Sequence, residues 1–193
     1  MPASVILVTG LALGPVGSVS QTDYPRTKAR LIKATDTLFP AFGDLMVLNA
    51  DNSYSSLAQY IENDSSSLTA TTPLCFAQAN VKTNTVYPTN GSGSIANTGV
   101  YPPGSEADGF LQGTINVAVN VGTPAGAGSP VYIRKTLNAA FPLGVIGGIE
   151  GVADGSNTVL MTNGIVFTTG TLSPDPQTGQ ITAQVTLLNR LVP

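Results

Sequence analysis

Apolar and polar residues alternate most regularly in the C-terminal half of the chain. One such run places Ile115, Val117, Val119 and Val121 between polar or small neighbours. A second run covers residues 181–188 in the same way, and residues 131–134 form a shorter one. A period of two is typical of strands that bury one face. These three segments are therefore predicted to be β-strands.

A turn signal divides two further apolar runs. Residues 158–161 and 165–169 flank Asn163-Gly164, a pair that is typical of tight hairpin turns. The spacing of the predicted strands resembles that of sandwiches and barrels. The pattern thus predicts a mainly β protein. We expect a small β-barrel, sandwich or tulip-like domain, with an extended N-terminal arm and one short helix.

The single predicted helix lies within residues 51–63. Its apolar positions are Tyr54, Leu57, Tyr60 and Ile61, which would share one helical face. Asp51 or Ser53 is the predicted N-cap. A nearby basic segment, residues 24–36, alternates with a period of two and is predicted to be another strand.

Glycine and proline divide the chain into an N-terminal arm and a domain. Residues 1–22 are predicted to form an arm or a short strand, because glycines and a proline follow the apolar residues 5–8. Residues 23–193 are predicted to form a single β domain with long loops around 64–110, and short strands are possible within residues 74–81. No basic residue precedes the apolar N-terminal stretch, which argues against a signal peptide. We therefore expect synthesis in a cytoplasm.

Composition argues against most catalytic chemistry. The chain has no histidine, so His-based acid–base catalysis, Ser-His-Asp triads and most zinc sites are excluded. Cys75, the one cysteine, is predicted to be a buried apolar residue. The carboxylate pairs Glu62/Asp64 and Glu106/Asp108 are interpreted as solvated loop residues. We predict no catalytic, cofactor-binding or metal-binding residues, and no enzyme.

Charge narrows the range of partners. Charged residues make up 10% of the chain, against about 25% in an average soluble protein. The net charge is −3, whereas nucleic-acid binders usually carry a basic surface. No apolar run approaches the ~20 residues that span a bilayer. Neither a nucleic acid nor a membrane is therefore expected as a partner.

One basic cluster stands out from this weakly charged chain. It contains Arg26, Lys28, Arg30 and Lys33, half of the 8 basic residues. One interpretation is a strand edge on which positive charge discourages aggregation. The other is a docking strip for an acidic partner surface, where charge sets encounter rate and register.

The C-terminal third resembles the head decoration, or structural cement, proteins of tailed bacteriophages. The resemblance covers residues 129–188 and is carried by Ser129-Pro130-Val131-Tyr132-Ile133-Arg134, by residues 148–160 and 164–170, and by the last predicted strand. In that family a similar segment leads to a glycine-containing loop and a closing hairpin.

The resemblance implies a structural virion protein on the outer surface of an icosahedral head. Such proteins bind the major capsid protein, stabilise contacts between its subunits and are often homotrimers. Under this hypothesis Arg26, Lys28, Arg30 and Lys33 are possible capsid contacts. The alternatives are another phage part, such as a tail, neck or fibre base, or a host-surface binding module.

Overall fold

The structure is a computed structural model that describes residues 16–19, 25–79, 99–120, 122–123, 125–142, 144–162, 164–171 and 181–188. These residues contain ten strands, one helix and a 3₁₀ turn at Gly155–Asn157. The elements are β1 (Arg26–Leu31), β2 (Leu45–Leu48), β3 (Tyr54–Ser56), α1 (Leu57–Asn63), β4 (Leu74–Ala77), β5 (Glu106–Val119), β6 (Tyr132–Arg134), β7 (Ile149–Glu150), β8 (Thr158–Leu160), β9 (Ile165–Phe167) and β10 (Ile181–Leu187). The expectation of a mainly β protein with one short helix is confirmed.

Strand β5 belongs to two sheets. Its first half lies between β1 and β4, and this first sheet has the order β3-β2-β4-β5-β1. Its second half pairs with β10 and touches β7, which gives a second sheet with the order β8-β6-β7-β5-β10-β9. Gly113 lies between the two halves with φ 112°. Glycine adopts this backbone conformation without the steric conflict that a side chain would meet.

The first sheet curls back towards itself. Ile32, directly after β1, forms a parallel bridge with Tyr54 of β3. The Tyr54 side chain is fully buried inside the curl, and its hydroxyl donates a hydrogen bond to the Lys28 carbonyl at 3.2 Å. Gly109 leaves room for the ring, because a Cβ there would lie 2.6 Å from the Tyr54 hydroxyl oxygen. The buried apolar residues of this curl are Ile32, Met46, Tyr54, Cys75, Ala77, Tyr101, Ala107 and Leu111.

A larger apolar core joins the two sheets and the helix. On β10 the alternating residues Ala183, Val185 and Leu187 are buried, as the period-two pattern predicts. Phe76 of β4 and Phe110 of β5 are fully buried and belong to the same cluster. Burial of such side chains is the main term that stabilises the folded state.

Helix α1 is shorter than predicted. It begins at Leu57, and Ser56 is its N-cap, accepting a hydrogen bond from the Gln59 amide. The predictions of Tyr54 as a helical residue and of Asp51 or Ser53 as the cap are wrong. Tyr54 pairs with Leu48 in the first sheet, so tertiary pairing and burial of the ring outweigh the local helical pattern.

One other prediction needs correction. The hairpin across residues 163–164 is wrong, because β8 pairs with β6 whereas β9 pairs with β10. Strand β4 lies within residues 74–81, where short strands are expected, and β5 begins at Glu106, near the end of the region predicted to form long loops. The first residues of β5 form a strand because β1 and β4 pair with them on either side.

Some expectations fall outside the described residues. They include the arm or short strand predicted for residues 1–22, apart from residues 16–19, and the proposed boundary near residue 22 stays a prediction. Within the described ranges, no helix is long and apolar enough to cross a membrane.

Candidate interaction surfaces

The basic cluster lies on and just after β1. Arg26 and Lys28 are exposed, and Arg30 and Lys33 are half-buried. In the antiparallel pairing of β1 with β5, Arg30 lies opposite Ala107 and Lys28 lies opposite Gly109. Residues that are paired in this way project from the same face of the sheet, so Arg30 and Lys28 share the face of Ala107. Arg26, Lys28 and Arg30 alternate along one strand, as the sequence predicts.

Arg30 has a structural role within this cluster. Its Nη1 donates to the Asn52 carbonyl at 3.1 Å and to Asn52 Oδ1 at 2.7 Å. Its guanidinium lies over the Tyr54 ring, 6.0 Å from the centroid. Arg30 therefore connects β1 to the β2–β3 turn, where Asn52 has a φ of 67°. Among the basic residues of β1, Arg26 and Lys28 are the better candidates for contact with a partner.

A second surface is a groove formed by two adjoining pockets, of about 500 and 710 Å³. Both are lined by Leu38, Ala58 and Ile146. Four large apolar side chains on its lining are exposed to solvent: Leu38, Phe39, Leu137 and Val145. We call this feature the apolar groove. Contiguous exposed apolar surface of this kind is typical of interaction sites.

One wall of the apolar groove is the loop between β6 and β7, and buried charges hold this loop in place. Arg134 and Glu150 are both fully buried and form a bidentate pair, in which Nε bonds to Oε1 and Nη2 bonds to Oε2 at 3.0 Å. Asn120 donates a further hydrogen bond to Glu150 Oε1 at 2.7 Å. Gly144 of the loop packs so closely on Arg134 that a side chain there would collide with the guanidinium.

Asp154 connects the Arg134–Glu150 pair to the loop between β6 and β7. Its carboxylate accepts hydrogen bonds at 2.9 Å from Arg134 Nη1 and from the Asn138 amide. The Asn138 bonds, and after them the Arg134 bond, hold the pKa of Asp154 below its ordinary value. The hydrogen bonds to Glu150 keep the pKa of Arg134 above its ordinary value. Arg134 and Asp154 therefore remain charged at neutral pH.

Asp44 is the one charged residue on the lining of the first pocket. It keeps contact with solvent, yet the protein atoms crowded around its carboxyl raise its pKa to about 6, against the lowering effect of a hydrogen bond from the Ala41 amide. A concave site produces this combination, because many neighbours displace water without closing off access.

The structure also places the carboxylates and the cysteine that the sequence analysis considers. Glu62 and Asp64 are exposed at the end of α1, whereas Glu106 and Asp108 lie on β5 rather than in the predicted loop. Cys75 is buried, as predicted. In the part of the chain that the structure describes, no three potential ligands are grouped in a way that could hold a metal ion.

Sequence reasoning did not find the apolar groove or the buried ion pair. The groove brings together residues from helix α1, from strands β2, β3 and β5, and from several loops, so no local pattern marks it. Arg134 and Glu150 are 16 residues apart, and each reads in isolation as a surface charge.

Comparison with solved structures shows a likeness over nearly the whole chain. The fold is similar to that of a chain in the structure described as the capsid of Myoviridae phage XM1, with a TM-score of 0.58 and 15% identity. The match covers 96% of this chain and 97% of that chain. At this identity the likeness establishes a shared fold. No family model and no curated protein matches the sequence.

Proposed function

We propose that this protein is a structural component of a phage head that binds the outside of the icosahedral shell and stabilises contacts between major capsid subunits. The observation that carries the proposal is the likeness to a chain of the phage XM1 capsid, which extends over 96% of this chain. A match of this extent includes both sheets. It therefore supports a head role more directly than a tail or adhesin role.

The surface of the molecule supports a role in assembly. Charged residues are few, and the core of a protein interface is depleted in charge. Exposed apolar side chains surround the groove, and Arg26 and Lys28 are exposed on β1. We propose that these two basic residues face an acidic patch on the capsid.

The proposed stabilisation of the head would come from thermodynamic linkage between binding and capsid assembly. A protein that binds across neighbouring subunits only when they are assembled adds its binding free energy to the assembled state. A homotrimer would contact several subunits at once, and its weak contacts would gain from high effective concentration. For this reason we propose that the protein is a homotrimer and that its partner is the major capsid protein.

The proposal is tested by co-sedimentation of the purified protein with phage heads that lack it. Saturable binding at a fixed ratio to the major capsid protein, together with a higher melting temperature of the heads, is the expected result. Binding to purified tails or to host cells, but not to heads, would refute the head role.

Substitution of the exposed basic residues tests the proposed contact. Arg26→Glu with Lys28→Glu should weaken head binding by about tenfold or more at low salt, and the loss should shrink as salt screens the contact. Arg30 is left intact because it also connects β1 to Asn52.

The matched control is Lys82→Glu with Arg190→Glu, which changes the net charge by the same amount. Binding should be nearly unchanged in this control. Equal losses in the two double variants would show that overall charge, and not the β1 strip, governs binding.

A further inference from the structure

Two buried amide side chains hold the walls of the apolar groove in place. Behind one wall, Gln59 Oε1 accepts hydrogen bonds from the backbone amides of Thr37 and Leu38, both at 2.9 Å. Behind the other wall, Asn120 Oδ1 accepts a bond from the Val145 amide, and Asn120 Nδ2 donates to the Val145 carbonyl, both at 3.3 Å. Each buried amide thus fixes the backbone of an apolar residue that lines the groove.

The exposure of Leu38 and Val145 is therefore set by the fold. Gln59 and Asn120 are only 7% and 8% exposed, whereas Leu38 and Val145 are 42% and 62% exposed. A flexible loop could turn its apolar side chains away from water, but the bonds to the buried amides hold these two residues at the surface. A surface that is already in its binding conformation loses little entropy when a partner binds. The groove is thus preformed for apolar contacts.

The charged residues on the lining of the groove are mostly acidic. Asp44 lines the first pocket, and Glu62, Asp64 and the basic Lys135 line the second. Hydrogen bonds from Ser66 hold the pKa of Asp64 below its ordinary value, so this carboxylate is charged at neutral pH. Three carboxyl groups against one ammonium group give the lining an excess of negative charge, which favours a cationic partner.

This excess of negative charge decides between classes of partner. A nucleic acid or an anionic membrane would bring phosphate groups against the carboxylates. A small polar ligand needs convergent polar groups that fix its orientation, whereas the buried amides of both walls bond to the protein's own backbone. A segment of another protein fits the site better, because its aliphatic side chains fill apolar pockets and a Lys or Arg pairs with a carboxylate.

We infer that the apolar groove binds a short segment of another protein, whose aliphatic side chains contact Leu38 and Val145 and whose Lys or Arg faces the carboxylates of the lining. The two pockets share Leu38, Ala58 and Ile146, so one extended segment can contact both. This site is built from other residues than the basic strip on β1. The inference holds whether or not the protein binds phage heads.

The test is selection from a library of random linear peptides displayed on yeast, followed by affinity measurement of the selected peptides by fluorescence anisotropy. Peptides that combine aliphatic residues with Lys or Arg should be enriched over the starting library. Val145→Asp should weaken their binding by at least about tenfold, because it places a charge in the apolar contact. Val152→Asp is the matched control, since Val152 is 48% exposed and absent from the lining of either pocket. Its affinity should equal that of the wild type.

A second pair of variants tests the recognition of charge. Asp44→Asn with Glu62→Gln removes two carboxylates from the lining and keeps an oxygen acceptor at each position. Binding of the selected peptides should weaken by about threefold or more at low salt, and by less at high salt. Asp51→Asn with Glu106→Gln removes the same charge from exposed positions outside the lining. The affinity of this control should be nearly unchanged.

Three results would overturn the inference. A selection without enrichment, or selected peptides whose binding is unchanged by Val145→Asp, would show that the groove does not bind such a segment. Enriched peptides without Lys or Arg, whose affinity does not respond to the substitutions of Asp44 and Glu62, would exclude the recognition of a cationic segment. Self-association in analytical ultracentrifugation that Val145→Asp abolishes would identify a second copy of this chain as the occupant.

Discussion

The two sheets share β5 but are stabilised by different means. The first sheet curls around apolar side chains, with the Tyr54 ring packed over Gly109. The second has, next to its apolar face, a buried ion pair between Arg134 and Glu150. The apolar interior of the first sheet is close-packed, so a substitution that adds atoms there should destabilise the fold. A buried ion pair is instead sensitive to the loss of either partner, since the remaining charge is left without compensation.

The difference also separates the two candidate surfaces. The basic strip lies on the first sheet, where Arg30 connects β1 to the β2–β3 turn. The wall of the apolar groove is a loop of the second sheet, held by hydrogen bonds from buried charges. The opposite side of the groove includes Leu38, Leu45 and Ser56 from the first sheet and the loop after β1. Loss of the buried charges should therefore affect the groove more than the basic strip.

The largest expected effect is in the second sheet. Glu150→Gln should lower the free energy of unfolding by up to roughly 3–5 kcal/mol, because the buried Arg134 loses its bidentate counter-ion and keeps only the bond from Nη1 to Asp154. The double variant Arg134→Met with Glu150→Leu removes both charges and should be less destabilised than the single variant. Chemical denaturation measures both. A double variant that loses as much stability as the single one would show that pairing is not the reason for the loss.

A smaller effect is expected in the first sheet. Gly109→Ala should destabilise the protein by roughly 1–3 kcal/mol, since the added methyl group would meet the buried Tyr54 ring at 2.6–2.8 Å. Gly126→Ala is the control, because its nearest neighbour, Ser129 Oγ, would lie 3.4 Å away. Thermal unfolding of both variants provides the comparison, and equal melting temperatures would contradict the close packing of the curl.

The smallest effect is a pH dependence in the loop network. The pKa of folded Asp154 is below the ordinary value of 3.8. Its contribution to stability is therefore fully present above that value and is lost as the pH falls through the lower, folded pKa. The difference in melting temperature between the wild type and Asp154→Asn should be constant near neutral pH and shrink below about pH 4. The control is Glu62→Gln, which removes the same charge at an exposed position. If its difference in melting temperature from the wild type changes with pH in the same way, Asp154 is not the cause of the pH dependence.

The sequence was informative where strands bury one face. The period-two runs that became β5 and β10 predict strands correctly, because each strand has one face in the core and the other nearer solvent. Tyr54 misled the helix prediction since its spacing from Leu57 fits a helix, whereas its burial depends on contacts with Gly109 and Ile32 far along the chain. The partners of β8 and β9 are likewise set by long-range pairing and not by the turn between them.

The two candidate surfaces also differ in whether the sequence predicts them. A basic strip on one strand is visible as alternation in the sequence, and the structure places Arg26, Lys28 and Arg30 along β1. The apolar groove depends on how Leu38, Ala58 and Val145 meet in space. Such a site can be found only after the fold is known.

The central claim is that this protein binds the outside of a phage head. The most direct test is electron cryomicroscopy of heads that lack the protein, imaged with and without the purified chain. The account predicts additional density on the outer surface that fits this fold and touches two or more major capsid subunits. Identical maps, or added density confined to the tail attachment site or to the interior, would contradict it.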